Sequence, residues 1–207
     1  MKNIVILICI IFTTVIIGCN VSSNFTYIPS SQDAIVRNSL VVDKSKDSTW
    51  SQLVEGLSSG FLLIKTMDKQ SGFMNLNYTG DPEKYVEGGE LRYTVTSGFA
   101  SVDTFQFPAS QSSANYEKAT GVYVISPVQR NLDLEARINI LLSELSSSRT
   151  RLTVNTTYVL NLNTKVQDVA SDQETISFNT GQDGVSKDGV KYRSNGKLEQ
   201  IILDIFK

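Results

Sequence analysis

Two stretches of nearly regular polar–apolar alternation constrain the fold of this 207-residue chain more than any other feature. They read NLDLEARINILL (131–142) and RLTVNTTYVLNL (151–162), and the segment SELSSSR follows the first of them. Successive side chains of a strand point to opposite faces, so each stretch predicts a strand with one covered and one polar face. The apolar positions are Leu132, Leu134, Ala136, Ile138, Ile140 and Leu142, then Leu152, Val154, Tyr158, Leu160 and Leu162. Together the two stretches predict a long hairpin that is covered on one side.

Two segments have helical rather than strand periodicity. In KDSTWSQLVEGLSSG the apolar residues Trp50, Leu53, Val54 and Leu57 fall on one helical face. Asp47 or Ser48 is suited to begin this helix, and Gly60 to end it. The C-terminal SNGKLEQIILDIFK predicts a second amphipathic helix, with Glu199 placed favourably for the helix dipole. Its apolar face comprises Leu198, Ile201, Ile202, Ile205 and Phe206.

The remaining segments predict further strands around an irregular middle. SLVVD, FLLIKTMD, GFMNLNYT, LRYTVTSG, GVYVIS and ETISFNT are each predicted to form a strand, whereas Phe99 to Thr120 is predicted to be a long irregular connection. The resulting order favours an α+β fold. We expect a two-layer domain in which an antiparallel sheet packs against two amphipathic helices, with the opposite face of the sheet polar.

The N-terminus indicates export and lipidation. Lys2 precedes an apolar run of fourteen residues, Ile4–Ile17, which is too short for a membrane-spanning helix of about 20 residues and suits a signal peptide. The run ends in IIGC, Ile16–Cys19, which resembles the lipobox of bacterial lipoproteins. The resemblance implies cleavage after residue 18 and acylation of Cys19, so that fatty-acyl chains anchor the protein to a membrane.

The lipobox also implies where the mature chain resides. Residues 19–38 are rich in Ser and Asn and are predicted to form a polar tether, leaving 39–207 as one domain. Asn20 follows the lipidated cysteine in place of the aspartate that causes retention in the inner membrane. We therefore expect lipid anchoring in the bacterial cell membrane, at the periplasmic face of the outer membrane.

Composition excludes several classes of chemistry. The chain has no histidine, and its two cysteines are Cys9, within the signal, and Cys19. Serine–histidine and cysteine–histidine nucleophile systems and ordinary zinc sites are therefore excluded, and any metal would need oxygen ligands. The formal net charge is −2, without a basic run, which disfavours nucleic acid as a partner. We expect no cofactor and no enzymatic activity.

The acidic clusters do not have the spacing of calcium sites. Asp81, Glu83, Glu87 and Glu90 lie among glycines and a proline, and Asp183 and Asp188 lie in a second glycine-rich stretch. Neither set matches D-x-[DN]-x-[DN]-G, so the spacing favours solvated loops over metal sites. Asp133 and Glu135 occupy the polar face of the first alternating strand, which favours solvation over a catalytic carboxylate pair.

Aromatic residues are concentrated around the predicted irregular middle. Trp50 lies on an apolar helical face, which favours core packing over ligand stacking. Five aromatic residues of this region either cover the sheet or present a partner surface: Tyr85, Tyr93, Phe99, Phe105 and Phe107. The residues assigned to that candidate partner surface are Tyr85, Phe99, Phe105 and Phe107.

One family resemblance bears on the fold. TWSQLVEGLSSGFLLIKTMDKQSGFMNLNY (49–78) resembles the repeated domain of BamC, a lipoprotein of the outer-membrane β-barrel assembly machine. The shared pattern is a helix with spacing like Trp50/Val54/Leu57, a strand ending at Asp68, a turn and an alternating strand. YRSNGKLEQIILDIF is similar to the closing helix of that domain. The resemblance implies a helix-grip fold, in which an antiparallel sheet wraps around a helix.

Two functions are consistent with these observations. The first is a non-catalytic accessory or scaffold lipoprotein that contacts another envelope protein. The alternative is a carrier of a small molecule or lipid, because a helix-grip sheet can enclose an apolar cavity beneath its closing helix. A hydrolase ranks last, for want of a base or nucleophile pair.

Overall fold

Strands dominate the fold. The computed structural model describes residues 20–31, 36–98, 101–167, 169 and 171–207, and strands account for 59% of these and helices for 14%. The strands are β1 (Val21–Ile28), β2 (Ser39–Val42), β3 (Leu63–Asp68), β4 (Phe73–Gly80), β5 (Val86–Glu87), β6 (Glu90–Ser97), β7 (Ser101–Pro108), β8 (Ser113–Ala119), β9 (Ile125–Ser146), β10 (Arg149–Val166), β11 (Asp172–Asn179), β12 (Asp183–Val185) and β13 (Lys191–Ser194). The α-helices are α1 (Lys46–Ser58) and α2 (Lys197–Leu203), and short 3-10 turns lie at Pro82–Lys84 and Asp204–Phe206.

The hairpin of β9 and β10 is the spine of the molecule. The strands pair antiparallel along their length, from Leu142 opposite Leu152 to Val128 opposite Val166. The apolar residues at even positions of β9 from Leu132 to Leu142 are buried, as the alternation predicts. The opposite face is polar, also as predicted; on it Asn75 donates from Nδ2 to Oδ1 of Asn139, at 2.8 Å.

Shorter strands extend the hairpin into a seven-stranded sheet. Along the outer edge of β9, β8 pairs with one end and β4 with the remainder, and β3 pairs with β4. Along the outer edge of β10, β2 pairs near the turn and β11 near the other end. Two three-stranded sheets, β1–β6–β7 and β12–β13–β5, complete the fold.

Different elements cover the two halves of the buried face. Toward the β9–β10 turn the cover is helical: α1 buries Trp50, Leu53 and Leu57, which confirms that Trp50 is a core residue, and α2 packs on β10. Toward the opposite end, the β1–β6–β7 sheet lies against β8. Within the described residues, no helix is both long and apolar enough to cross a membrane.

The expected α+β fold with a two-layer, helix-grip-like arrangement is wrong. The described part of the protein is β-rich, with two short α-helices, and at the end of the spine away from the β9–β10 turn a second sheet rather than a helix packs against β8. The predicted helices do exist, but α2 has seven residues before its final 3-10 turn. The side chain that caps α1 is Ser45, which accepts a hydrogen bond from the backbone N–H of Ser48, rather than Asp47 or Ser48.

Three local predictions also differ from the structure. The segment from Phe99 to Thr120 is not irregular, because β7 and β8 lie within it. GVYVIS is not one strand: residues 121–124 form the turn between β8 and β9, and β9 begins at Ile125. Residues Val21–Ile28, placed in the predicted tether, pair with β6 as strand β1.

Candidate functional site

A cleft lies where the β1–β6–β7 sheet meets the ends of β8, β9 and β10. Its volume is about 420 Å³, and its remaining wall is the connection from β12 to β13. This volume falls within the range of small-molecule sites, roughly 300–1,000 Å³. The lining combines aromatic rings, aliphatic side chains and charged groups, so both an apolar and a charged part of a ligand would find contacts there.

Stacked aromatic rings form one wall of the cleft. The rings of Tyr93 and Tyr116 are 3.9 Å apart between centroids and inclined by 20°, and Phe25 lies 5.0 Å from Tyr93. The register explains this wall, because Phe25 and Phe105 flank Tyr93 across β1, β6 and β7 and share its face. Burial raises the pKa of both Tyr93 and Tyr116, so the two phenols stay protonated and neutral at physiological pH.

Arg130 also lines the cleft and is the most informative residue in it. Only 2% of its surface is exposed. Its guanidinium donates to uncharged oxygens: from Nη1 to the carbonyl of Gln111 at 3.0 Å, and from Nη2 to the carbonyl of Ala109 at 2.6 Å and to Oη of Tyr192 at 3.1 Å. Among the described residues, Nε–H and the second Nη1 proton have no partner.

Burying this guanidinium without a carboxylate partner is unfavourable, because a buried charge normally needs a counter-charge. The arrangement therefore suits an anionic group on a ligand. The sequence carried a signal for this residue: Arg130 occupies an even position, where every residue from Leu132 to Leu142 is apolar and buried. A charged residue on the covered face of an alternating strand is an exception that indicates a functional role.

Charged residues of both signs surround the mouth of the cleft. Lys118 is exposed on β8, and Lys187 forms an ion pair with Asp172. Asp188, from the second predicted acidic cluster, also lines the cleft. Of these residues and Arg130, the cations outnumber the anions by one, which favours an anionic ligand.

The candidate partner surface does not form one patch. Tyr85 and Phe107 are each only 8% exposed and belong to the core. Tyr85 contacts Tyr78 at 4.8 Å, in a separate aromatic cluster, whereas Phe107 stacks on Tyr93 at 5.9 Å. Phe105 is half-buried against the core, and Phe99 lies outside the described residues.

The acids of 81–90 each have a different partner. Asp81 pairs with Lys84 at 3.1 Å, and Glu83 accepts a hydrogen bond from Ser112 at 3.1 Å. Glu87 accepts one from Ser30 at 3.5 Å, and Glu90 one from Gln106 at 2.7 Å. These four carboxylates do not converge on a common point.

The other acids considered in the sequence are also accounted for. Asp183 pairs with Arg193 at 2.8 Å, and Asp133 and Glu135 lie on the polar sheet face, where Glu135 pairs with Arg137. No group of three or more potential metal ligands occurs among the described residues.

Glu199 lies in a buried polar network that the sequence did not reveal. Its carboxylate is fully buried, with Oη of Tyr158 3.0 Å from each of its oxygens and Oγ1 of Thr180 2.7 Å from Oε1. Ser194 in turn donates to Oη of Tyr158, at 2.7 Å. The helix-dipole interpretation of Glu199 missed this role, because the partners come from β10 and the ends of β11 and β13.

Cys19 and the predicted signal peptide 1–18 lie outside the described residues, so their assignment stays a prediction. Comparison of the chain with protein-family models, with curated proteins and with solved structures finds no match.

Proposed function

We propose that this chain is a lipid-anchored, non-catalytic binding protein of the bacterial envelope, and that its cleft takes up a small organic anion. The observation that carries the proposal is Arg130: a buried guanidinium that lines a cleft and hydrogen-bonds only to uncharged oxygens among the described residues. An anionic group that reached Nε–H and Nη1 would supply the missing counter-charge.

The remainder of the cleft indicates the body of the ligand. Aromatic and aliphatic side chains, among them Phe25, Tyr93 and Leu162, line the space next to Arg130. A ligand with a compact apolar or aromatic body and one carboxylate or phosphate would satisfy both parts. Binding is favoured over catalysis because the sequence lacks histidine and a free thiol in the proposed mature chain.

The proposed location follows from the N-terminal sequence. Gly18 and Cys19 match the lipobox, and Asn20 is not a retention signal for the inner membrane. We place the protein at the periplasmic face of the outer membrane, where a cleft for small anions would serve uptake, delivery or sensing.

A titration with matched probes tests the binding function. Full-length protein in detergent micelles is titrated calorimetrically with phenyl phosphate, with phenol and with inorganic phosphate. We expect phenyl phosphate to bind most tightly, because it alone offers both an aromatic body and a charge. Arg130→Met should abolish this preference, whereas Arg137→Met, on the polar face of the same strand, should retain it.

Arg130→Met could also lower stability, because Arg130 donates hydrogen bonds to the carbonyls of Ala109 and Gln111. A second cleft variant therefore tests binding without changing Arg130. Tyr93→Leu leaves the guanidinium in place and removes the aromatic wall, so it should weaken phenyl phosphate more than inorganic phosphate. Equal affinity for phenol and phenyl phosphate, or undiminished binding by a folded Arg130→Met variant, would refute the proposal.

The accessory role through protein contacts is a second candidate, and one observation favours it. Strand β3 is an edge of the large sheet, and Leu63 and Met67 on it are more than half exposed. Exposed edge strands accept a further strand from a partner. Affinity purification from native membranes should then recover a stoichiometric partner that is lost in Thr66→Pro; repeated recovery of the protein alone would count against this role.

A further inference from the structure

The turn between β8 and β9 exposes three consecutive apolar residues. Val122, Tyr123 and Val124 are 59%, 66% and 53% exposed, and the segment ATGVYVI (119–125) that contains them carries no charge. Single exposed apolar residues are common, but an uncharged run of this kind indicates a surface that is covered in the native setting.

The N-terminus of the described chain lies against this turn. Val21, the first residue of β1, donates its backbone N–H to the carbonyl of Val122 at 2.9 Å. Cys19 precedes Val21 by only two residues in the sequence, and a chain of two residues spans at most about 8 Å. A lipid attached to Cys19 would therefore enter a bilayer close to Val122.

Further exposed valines lie at the same end of the molecule. Val21 of β1 pairs with Ser97 of β6, and Ser97 pairs with Ser101 of β7, so the start of β7 lies two strands away from Val21. Val102, the second residue of β7, is more than half exposed. The connection after β10 lies beside the start of β9, because the N–H of Gln167 donates to the carbonyl of Pro127 at 3.1 Å. It carries the exposed Val169.

The opposite end of the spine has a different character. The tip of the β9–β10 hairpin contains Glu144, Arg149 and several serines around the part-exposed Leu145. At about 3.3 Å per residue, β9 places this tip roughly 60–70 Å from the β8–β9 turn.

We propose that the end formed by Val21, Val102 and Val122–Val124 rests on a lipid bilayer, with Val122, Tyr123 and Val124 inserted among the headgroups. The inference rests on the proposed acylation of Cys19. Tyrosine prefers the membrane interface, because its ring is apolar and its hydroxyl can stay hydrated. The acyl chains hold the protein at the bilayer, and the turn fixes its orientation, with the hairpin directed away from the membrane.

This orientation also places the cleft near the membrane surface. Lys118 lies on β8 just before the apolar turn, and the cleft is lined by Lys118 and by Ser23 and Asn24 of β1. A small organic anion would thus reach the cleft from the layer of water next to the headgroups.

Site-directed spin labelling tests the docking. The only cysteine of the proposed mature chain is Cys19, which is acylated, so Val122→Cys in full-length protein accepts a nitroxide at one position. Leu145→Cys, at the distal tip, is the matched control. The labelled proteins are reconstituted in vesicles of phosphatidylethanolamine and phosphatidylglycerol, and collisions with oxygen and with a water-soluble nickel complex are compared by electron paramagnetic resonance.

We expect a ratio of oxygen to nickel collisions several-fold higher for the label at 122 than for that at 145. An intact mass of the same preparation reports whether Cys19 carries acyl chains. Acylated protein whose label at 122 is as accessible to nickel as that at 145 would overturn the docking and leave the anchor standing. Absence of acylation would refute the lipid anchor and the docking together. Dipolar broadening between labels at 122 would assign this surface to a second copy of the chain instead of a bilayer.

Discussion

Replacing Tyr158 with phenylalanine removes one atom from the buried network around Glu199. The hydroxyl of Tyr158 lies 3.0 Å from both carboxylate oxygens, and the variant leaves the ring and its stacking on Phe178 in place. Thr180 remains as a donor to the carboxylate, at 2.7 Å. Ser194 loses its acceptor but lies within 3.5 Å of Glu199 Oε2, to which it can turn. The net loss is therefore one hydrogen bond to a buried charged group.

Such a bond contributes about 1.5–3 kcal/mol, so we expect the free energy of unfolding to fall by about 2 kcal/mol. For a domain of this size that corresponds to a decrease in Tm of roughly 4–8 °C. Urea titrations followed by far-UV circular dichroism measure the change, and an unaltered slope would show that the unfolded state is unaffected. Tyr123→Phe, at a largely exposed tyrosine, is the control and should stay within about 0.5 kcal/mol of the native protein.

A double-mutant cycle isolates the pair from the rest of the network. Once Glu199→Leu has removed the carboxylate, the Tyr158 hydroxyl no longer hydrogen-bonds to it, and deletion of that hydroxyl should cost less. We expect Tyr158→Phe and Glu199→Leu to be non-additive by about 1–2 kcal/mol. Additive effects, or a Tyr158→Phe variant as stable as Tyr123→Phe, would refute the assignment of a stabilising role to this contact.

Three further predictions concern stability. Burial raises the pKa of three core tyrosines, which therefore bind their protons more tightly in the folded state than in the unfolded state. Above a pH of about 10, the free energy of unfolding should fall by about 1.4 kcal/mol per pH unit for each of them, so phenolate absorbance and loss of circular dichroism should change together. Titration of these phenols while the fold stays intact would contradict this prediction. These residues are Tyr116, Tyr158 and Tyr192. On β9, Ile140→Ala should lower the free energy of unfolding by about 2–5 kcal/mol, whereas Leu141→Ala, on the polar face, should change it by about 0.5 kcal/mol or less. Equal losses in urea titrations would contradict the assignment of Ile140 to the buried face and Leu141 to the polar face. Gly72 and Gly181 both have positive φ, but of the two only at Gly72 would a Cβ meet backbone, at 2.6 Å from the carbonyl oxygen of Leu142. Gly181→Ala should lower the free energy of unfolding by about 1–2 kcal/mol through its backbone conformation alone, and Gly72→Ala should lower Tm clearly more than Gly181→Ala does.

The parts of the fold that could be predicted are those with a long and nearly regular period. Eleven apolar positions at period two identified β9 and β10, and the facing of β9 follows directly from Leu132 to Leu142. The spacing of Trp50, Leu53 and Leu57 likewise identified α1. In β7 and β8 the alternation is limited to pairs such as Phe105/Phe107 and is diluted by Ser, Gln and Asn. These strands form because β6 and β9 offer them an edge, so tertiary pairing outweighs local preference.

The cleft could not be predicted as a whole, because it exists only where β1 and β6 meet β8. Tyr93 and Tyr116 stack across that junction, and their spacing along the sequence carries no sign of it. Arg130 was within reach of sequence reasoning, since the period that identified β9 also assigns position 130 to the covered face. The predicted fold class was wrong for a related reason. The helical segments were identified correctly, but the pattern of the sequence does not show that the β1–β6–β7 sheet packs at one end of the spine, where a helix was expected.

The position of the spine within the chain governs the order in which the protein can fold. Synthesis from the N-terminus produces β2 and β4 well before β9 and β10, the strands with which they pair. β2 pairs with residues 150–153 of β10. β4 pairs locally with β3, whereas its other edge pairs with residues 134–141 of β9. Pairings of such large sequence separation form slowly, and the early strands stay unpaired in the meantime. Completion of the C-terminal third of the chain therefore sets the moment of folding, and until then β2 and β4 each have an unpaired edge.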